Sequence, residues 1–226
     1  MPRLAINYMG LPYTSIQVDS PDIEKTAIAA GTPPLEHRED GSPHYTLPAF
    51  VDDANPSAPV RLADSKAIAE YLDATYPNAD PEKSLFPKGS RVLQALAYKQ
   101  IADNITDHMV PVFMEAYFEK QTEGTKAKYA PVFAARMADK EQMKKAKEEG
   151  WEKIKKGLEE LGGHIQKYGG GGDYLLEKNI SFVDLHIGAA LICVHLILGE
   201  EEIRKQLKDI NNGLWVRLLD VVLKYL

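Results

Sequence analysis

The sequence predicts a mixed α/β part followed by an all-helical part. Up to about residue 87, prolines, glycines and short apolar runs alternate with helical patterns, and after it come long helical patterns with few breaking residues. The 226 residues suffice to bury a core in each part. We therefore expect one domain over residues 1–86 and a second over residues 87–226.

The composition narrows the class of protein. A net charge of −6 argues against nucleic-acid binding, because a protein that neutralises phosphates needs a basic surface. The single cysteine, Cys193, excludes an intramolecular disulfide and is typical of a reducing compartment. The longest apolar run, GAALICVHLIL, is too short to span a membrane and carries His195. We expect a cytoplasmic protein.

The sequence of the first part predicts two helices and a strand before a loop in the middle of this part. A helix is expected over residues 2–9, ended by Gly10, and a strand over residues 13–18. A short helix should follow, since Ser20 can cap it and Pro21 suits its first position. The charged stretch EHREDGSPHY is expected to form a loop.

A hairpin and a helix complete the first part. Short strands are expected over residues 47–51 and 60–63, joined by the turn-forming stretch DDANPSA. A helix then opens at Asp64 or Ser65 and runs to Tyr76.

The second part predicts helices only. The lysine-rich segment DKEQMKKAKEEGWEKIKKGLEE pairs acids and bases at helical spacing and is typical of a solvated face. The glycine run at 169–172 is a flexible break. The expected helices cover 89–120, 139–167, 181–197, 200–208 and 213–225.

Three stretches together carry a family resemblance. TLPAFVDD, LADSKAIAEYLDATYP and ISFVDLHIGAAL are similar, in order and spacing, to landmarks of cytosolic glutathione transferases. GLPYTSIQVDSPDIE with DGSPHYTLPAF resembles a fungal class related to bacterial lignin-ether-cleaving transferases. The resemblance implies a thioredoxin-like domain, then a helical domain, with glutathione as co-substrate, no metal and a possible homodimer.

In TLPAF, the resemblance implies a binding role for Leu47 and Pro48. The family holds this proline in a cis peptide bond, so that the preceding residue's N–H and C=O pair with the backbone of glutathione. From the sequence alone, a trans proline at a strand edge is the commoner arrangement. The family context favours the cis form.

In LADSKAIAEYL, Asp64 and Ser65 stand where a strand gives way to a helix. Helix N-termini attract anions, and the family uses this position for the γ-glutamyl end of glutathione. A plain N-cap is the alternative, and both roles are compatible. In ISFVDLHIGAAL, by contrast, Ser181 and Asp184 form a capping box that we interpret as structural.

The residue that activates the glutathione thiol cannot be named. An unperturbed thiol has a pKa of about 8.5, so a transferase must lower it. The family does so with a Tyr, Ser or Cys between its first strand and first helix. The resemblance places residues 2–5 inside that helix, so this strand and residue would precede Met1. We therefore expect a damaged or rearranged sheet, with residues 13–18 unpaired or paired with residues 47–51.

Other candidates have weaker support. Cys193 is expected to be a buried core thiol. Nothing aims the hydroxyls of Tyr13, Thr14 or Ser15 at the thiol. The histidines on helices lack a metal-binding spacing. A stripe of apolar and aromatic residues at helical spacing lines either the acceptor pocket or the core. These histidines are His108, His186 and His195, and the stripe is Met109, Phe113 and Tyr117.

Two functions follow from the resemblance. The first is a transferase that joins glutathione to a small hydrophobic or aromatic electrophile, in detoxification or ether cleavage. The alternative is a non-catalytic member that binds glutathione or an aromatic ligand. A purely structural or regulatory member of the same fold is a third hypothesis.

Overall fold

The computed structural model of the chain describes residues 1–226, apart from the side chain of Glu82. Its first part contains three helices and two small hairpins, and the expected order of a mixed part before a helical part is confirmed. The helices are α1 (Pro2–Met9), α2 (Ile23–Ala30) and α3 (Ser65–Thr75). The strands are β1 (Glu36–His37), β2 (Pro43–His44), β3 (Ala49–Asp52) and β4 (Val60–Ala63).

The strands form two separate antiparallel pairs, β1 with β2 and β3 with β4. The expected hairpin around DDANPSA is confirmed, with Ala49 opposite Ala63 and Asp52 opposite Val60. The stretch expected to be a loop forms the β1–β2 hairpin instead. In its turn, the Asp40 carboxylate accepts hydrogen bonds from the N–H and hydroxyl of Ser42, which closes the chain on itself.

The strand expected over residues 13–18 is absent from the described structure. This segment pairs with neither hairpin, and the side chain of Ile16 is 77% exposed. The alternation of apolar and polar residues does not make a strand without a partner strand to complete the backbone hydrogen bonds. The expectation of a rearranged sheet with this segment unpaired is confirmed.

The second part is built from seven α-helices among the described residues. They are α4 (Arg91–Asn104), α5 (Met109–Glu119), α6 (Glu123–Met137), α7 (Lys140–Tyr168), α8 (Phe182–Leu198), α9 (Glu200–Leu207) and α10 (Leu214–Val222). The apolar α8 lies at the centre of the main core and packs against α4, α5, α9 and α10.

The single helix expected over 89–120 is divided in two. It breaks at Ile105, and a short 3-10 turn, Thr106–His108, separates α4 from α5. Helix α7 crosses this corner closely: a Cβ on Gly157 would lie 2.7 Å from the carbonyl oxygen of Asn104, and one on Gly150 would lie 2.9 Å from that of His108. Glycines on α7 therefore permit the close crossing.

Helix α6 was not expected. It begins where the Thr122 hydroxyl accepts a hydrogen bond from the Thr125 N–H, and Pro131 lies inside it. An internal proline and a weak apolar stripe conceal such a helix in the sequence. Helix α6 packs against α5 through the stacked rings of Phe118 and Phe133, whose centroids are 3.8 Å apart.

The capping box of α8 is confirmed. One oxygen of the buried Asp184 carboxylate accepts hydrogen bonds from the N–H and hydroxyl of Ser181, and the other accepts one from the Leu175 N–H. The carboxylate thus fixes both the start of α8 and the loop before it. None of the described helices is both long and apolar enough to cross a membrane.

Candidate functional site

The Leu47–Pro48 peptide bond is cis, which confirms the geometry expected from the resemblance. Leu47 is 48% exposed and lies just before β3. Its N–H and C=O form no hydrogen bond with any residue that the structure describes. A backbone donor and acceptor are therefore free, next to each other, to pair with an extended ligand backbone.

The second element is the N-terminus of α3. The Asp64 carboxylate accepts hydrogen bonds from the N–H groups of Lys66 (2.8 Å) and Ala67 (2.9 Å), so the N-cap interpretation is confirmed. Asp64 itself has φ 79°, which is uncommon for a residue other than glycine. Strained backbone of this kind concentrates at functional sites.

Ser65 remains available beside this cap. Within the described structure, neither its N–H nor its hydroxyl has a hydrogen-bond partner. Both Asp64 amide contacts use the same oxygen, Oδ1, and its Oδ2 forms no hydrogen bond with a described residue. The start of α3 thus combines free donors, the positive end of the helix dipole and one free carboxylate oxygen.

The β3–β4 register brings these groups together. Ala49 faces Ala63 in the last pair of the ladder, so Pro48 and Asp64, which adjoin this pair, lie at the same end of the hairpin, with Leu47 and Ser65 one residue further along the chain. The four residues singled out in the sequence therefore meet at the open end of one hairpin.

Two side chains of the helical part lie near this end. The Tyr98 ring on α4 is 4.5 Å from the His186 ring on α8 and 5.7 Å from that of Phe182. Burial raises the pKa of Tyr98, and the Asp64 carboxylate adds to this shift. Burial lowers the pKa of His186 to about 4, against the opposing effect of Asp64, so this imidazole is neutral at pH 7. The sequence did not single out Tyr98.

Cys193 is exposed, so the expectation of a buried core thiol is wrong. The apolar pattern of GAALICVHLIL does not tell which side of α8 is covered, since most of that helix is apolar. Although the residue is exposed, partial burial by its neighbours raises the pKa of the thiol. A raised pKa keeps the thiol protonated at neutral pH and does not favour nucleophilic chemistry.

The remaining candidates divide between core and surface. Met109 is buried in the main core, Phe113 packs at its edge and Tyr117 is exposed, so only the latter end of this stripe is open to a ligand. Tyr13 and the adjacent Thr14 and Ser15 are exposed. In the described structure, no three His, Cys, Asp or Glu side chains form a group that could hold a metal ion.

Two surface cavities are lined by residues near the connection between the two parts. One, of about 480 Å³, is lined by residues of the connection between the two parts, including Pro87, Lys88 and Leu93, together with Leu176 and Asn179. A second, of about 270 Å³, adjoins it at Pro87 and Lys88. None of the four candidate residues lines either cavity.

Comparisons with known proteins agree on one family. Residues 1–75 match the model "Glutathione S-transferase, N-terminal domain", and residues 92–225 match "Glutathione S-transferase, C-terminal domain". The curated glutathione S-transferase-like protein ustS of Aspergillus flavus is 40% identical over 89 residues, which cover 38% of this chain and 30% of that protein. The match thus spans less than a third of that relative's length.

Solved fungal structures share the fold over nearly the whole chain. Glutathione transferase GSTFuA3 from Phanerochaete chrysosporium is 27% identical, with a TM-score of 0.85, and the match covers 99% of this chain and 88% of that one. CsGST63524 of Ceriporiopsis subvermispora, solved in complex with glutathione, is 26% identical, with the same TM-score and coverage. A thioredoxin-like domain is followed by a helical domain, and the chain belongs to the glutathione S-transferase family.

Proposed function

We propose that the protein is a glutathione transferase that joins the thiol of glutathione to small hydrophobic or aromatic electrophiles. One observation carries the proposal: the free backbone groups of Leu47, beside a cis proline, lie at the same hairpin end as the free N-terminal groups of α3. The solved complex of CsGST63524 with glutathione adds support, since this chain shares its fold.

The proposed site has a partner for each polar part of glutathione's γ-glutamyl and cysteinyl units. The Leu47 N–H and C=O pair with the cysteinyl backbone. The cis bond to Pro48 orients these two groups. The Ser65 N–H and hydroxyl donate to the γ-glutamyl carboxylate, helped by the dipole of α3. Asp64 Oδ2 faces the γ-glutamyl ammonium. These orphaned groups fit glutathione in both charge and hydrogen-bonding sense.

The reaction requires glutathione as its thiolate, which attacks the electrophile and displaces a leaving group or adds to a double bond. At neutral pH most of the free thiol is protonated, so a donor near the sulfur raises the rate by stabilising the anion. The open end of the α5 stripe, Phe113 and Tyr117, offers apolar surface for the electrophile.

Binding and turnover are measured separately. Isothermal calorimetry with glutathione tests the site, and absorbance assays with an activated aryl chloride test conjugation. Ser65→Ala should weaken binding about tenfold, because two donors to a charged group are reduced to one. Tyr168→Phe, on the exposed end of α7, is the matched control and should change neither. A wild-type protein that binds no glutathione would overturn the proposal.

Glutathione binding without conjugation is the second candidate. The exposure of the hydroxyl-bearing segment Tyr13–Ser15 favours it, because in the described structure these residues form no hydrogen bond with Leu47 or Ser65. Tight binding with no aryl chloride turnover would support this candidate over the first.

A second copy of this chain is the proposed partner. The outer face of α4, formed by Val92, Leu93 and Leu96, is strongly apolar, and two of these side chains are 74% and 66% exposed (Val92 and Leu96). Such a contiguous patch is typical of an interface. Light scattering should give the mass of two chains, and Leu96→Glu should give one. Val132→Glu, on exposed α6, is the control. A monomeric wild type would exclude the dimer.

Location and domain limits are also proposals. The single cysteine and the family membership support a cytoplasmic protein, which a fluorescent fusion would test.

Limited proteolysis between residues 76 and 90 would test the division into residues 1–86 and 87–226.

A further inference from the structure

One ion pair links helix α3 to helix α4 at the protein surface. Arg91, at the start of α4, lies 3.5 Å from Glu70 in the middle of α3, and Glu70 also pairs with Lys66 at 3.0 Å. Moving back along α3 from Glu70 leads to Asp64, and moving forward along α4 from Arg91 leads to Tyr98. The two separations are about 9 Å and about 10.5 Å at the helical rise of about 1.5 Å per residue.

An antiparallel arrangement of the two helices would bring Tyr98 beside the N-terminus of α3. An independent observation agrees, because the charges of Asp64 and Lys66 both act on the Tyr98 phenol, after the larger effect of burial. Tyr98 is the one aromatic residue in the sequence of α4, RVLQALAYKQIADN.

The Tyr98 ring is held firmly while its hydroxyl is free. Phe182 and His186 pack on the ring at 5.7 and 4.5 Å between centroids. The hydroxyl has no hydrogen-bond partner among the described residues. Partly buried phenols usually have a partner, so a rigid ring with a free hydroxyl is suited to a ligand.

We propose that the Tyr98 hydroxyl donates a hydrogen bond to the γ-glutamyl carboxylate of glutathione, as a binding residue contributed by the helical domain. This inference rests on the proposed function. Together with the N–H and hydroxyl of Ser65, it gives the carboxylate three donors from two domains. The raised pKa of Tyr98 keeps the phenol protonated, as a donor must be.

A consequence is selectivity for the γ-glutamyl group. A thiol peptide without the α-carboxylate leaves Tyr98 and Ser65 unpaired, and a site built to hydrogen-bond a group discriminates against ligands that lack it.

The test compares Tyr98→Phe with the wild type, because phenylalanine keeps the ring packing and removes only the hydroxyl. Calorimetry with glutathione should show about tenfold weaker binding, as for a hydrogen bond to a charged group. The second probe is 4-aminobutyryl-cysteinylglycine, which keeps the amine of glutathione and lacks only the α-carboxylate. Its affinity, measured by displacement if weak, should be the same for wild type and Tyr98→Phe.

The outcomes separate this inference from the proposed function. If the wild type and Ser65→Ala behave as proposed but Tyr98→Phe binds glutathione as tightly as the wild type, the role of Tyr98 is wrong and the site stands. An equal loss of affinity for both probes means that Tyr98 acts through structure alone, which also overturns it. If the wild type binds neither probe, the proposed function fails first. Thermal unfolding of each variant verifies that the fold is intact.

Discussion

The helical part and the hairpin part of the molecule are stabilised differently. The helical part surrounds α8, whose side chains are buried along most of their length. The β3–β4 hairpin and α3 share only a small separate cluster of Ile6, Ile68 and Leu72. The proposed binding groups of Leu47, Asp64 and Ser65 lie on the hairpin part, which has the smaller buried cluster. Its position depends on docking, since Leu4, Ala5 and Ala69 are buried in the core of the helical part.

Polar contacts add to the small apolar cluster in stabilising the hairpin part. The Asp52 carboxylate, at the end of β3, accepts hydrogen bonds from the hydroxyls of Tyr71 (2.7 Å) and Tyr76 (2.5 Å) on or beside α3. Arg61 on β4 donates to the Ala30 carbonyl oxygen at 2.9 Å and so ties the hairpin to the end of α2. Polar contacts at the surface are worth less than buried apolar area, so this part should be easier to open.

The largest expected effect comes from one matched pair of core variants. Leu185→Ala removes a fully buried side chain from the main core and should lower the free energy of unfolding by about 3–5 kcal/mol. Leu72→Ala empties an equally buried position in the small cluster, where neighbours can collapse into the space, and should cost only about 2–3 kcal/mol. Urea unfolding measures both, and equal losses would remove the contrast between the parts.

The close crossing of α7 gives a smaller effect of definite sign. Gly157→Ala forces a Cβ against the Asn104 carbonyl and should destabilise the protein by about 1–3 kcal/mol. Gly163→Ala, on the same helix with no atom within 4 Å of its Cβ, should instead stabilise it by up to about 1 kcal/mol. Denaturation midpoints of the two variants shifting in the same direction would show that the crossing is not tight.

The smallest effect is a pH dependence in the hairpin part. Hydrogen bonds from Tyr76, from the Ala54 N–H and from Tyr71 hold the pKa of Asp52 below its ordinary value of 3.8. Ionised Asp52 therefore adds stability above that value, and the contribution is lost as the pH falls through the lower folded pKa.

Urea unfolding at pH 5 and at pH 2.5 tests this effect. The wild type should lose more unfolding free energy between these two pH values than Asp52→Asn does. Asp53 is the exposed neighbour of Asp52, so the control variant Asp53→Asn should lose as much as the wild type. Identical pH dependence in wild type and Asp52→Asn would contradict the assigned contacts.

The sequence located the hairpin end but not its neighbours. The cap at Asp64 and Ser65 follows from a local rule, whereas Leu47 and Pro48 were singled out by the family resemblance, because the sequence alone favours a trans proline. The position of Tyr98 depends on the packing of α4 against α8, which no local pattern encodes. Cys193 was misplaced for the same reason, since the covered side of α8 depends on which helices surround it.

The proposed site and the β3–β4 turn lie at opposite ends of the same hairpin. Leu47 and Ser65 lie at the open end, and residues 53–59 form the turn at the other end of the ladder. Lengthening an exposed turn costs little loop entropy and leaves the paired register in place. This turn is therefore where the hairpin tolerates insertions, and a short reporter peptide can be placed there without displacing the residues proposed to hold glutathione.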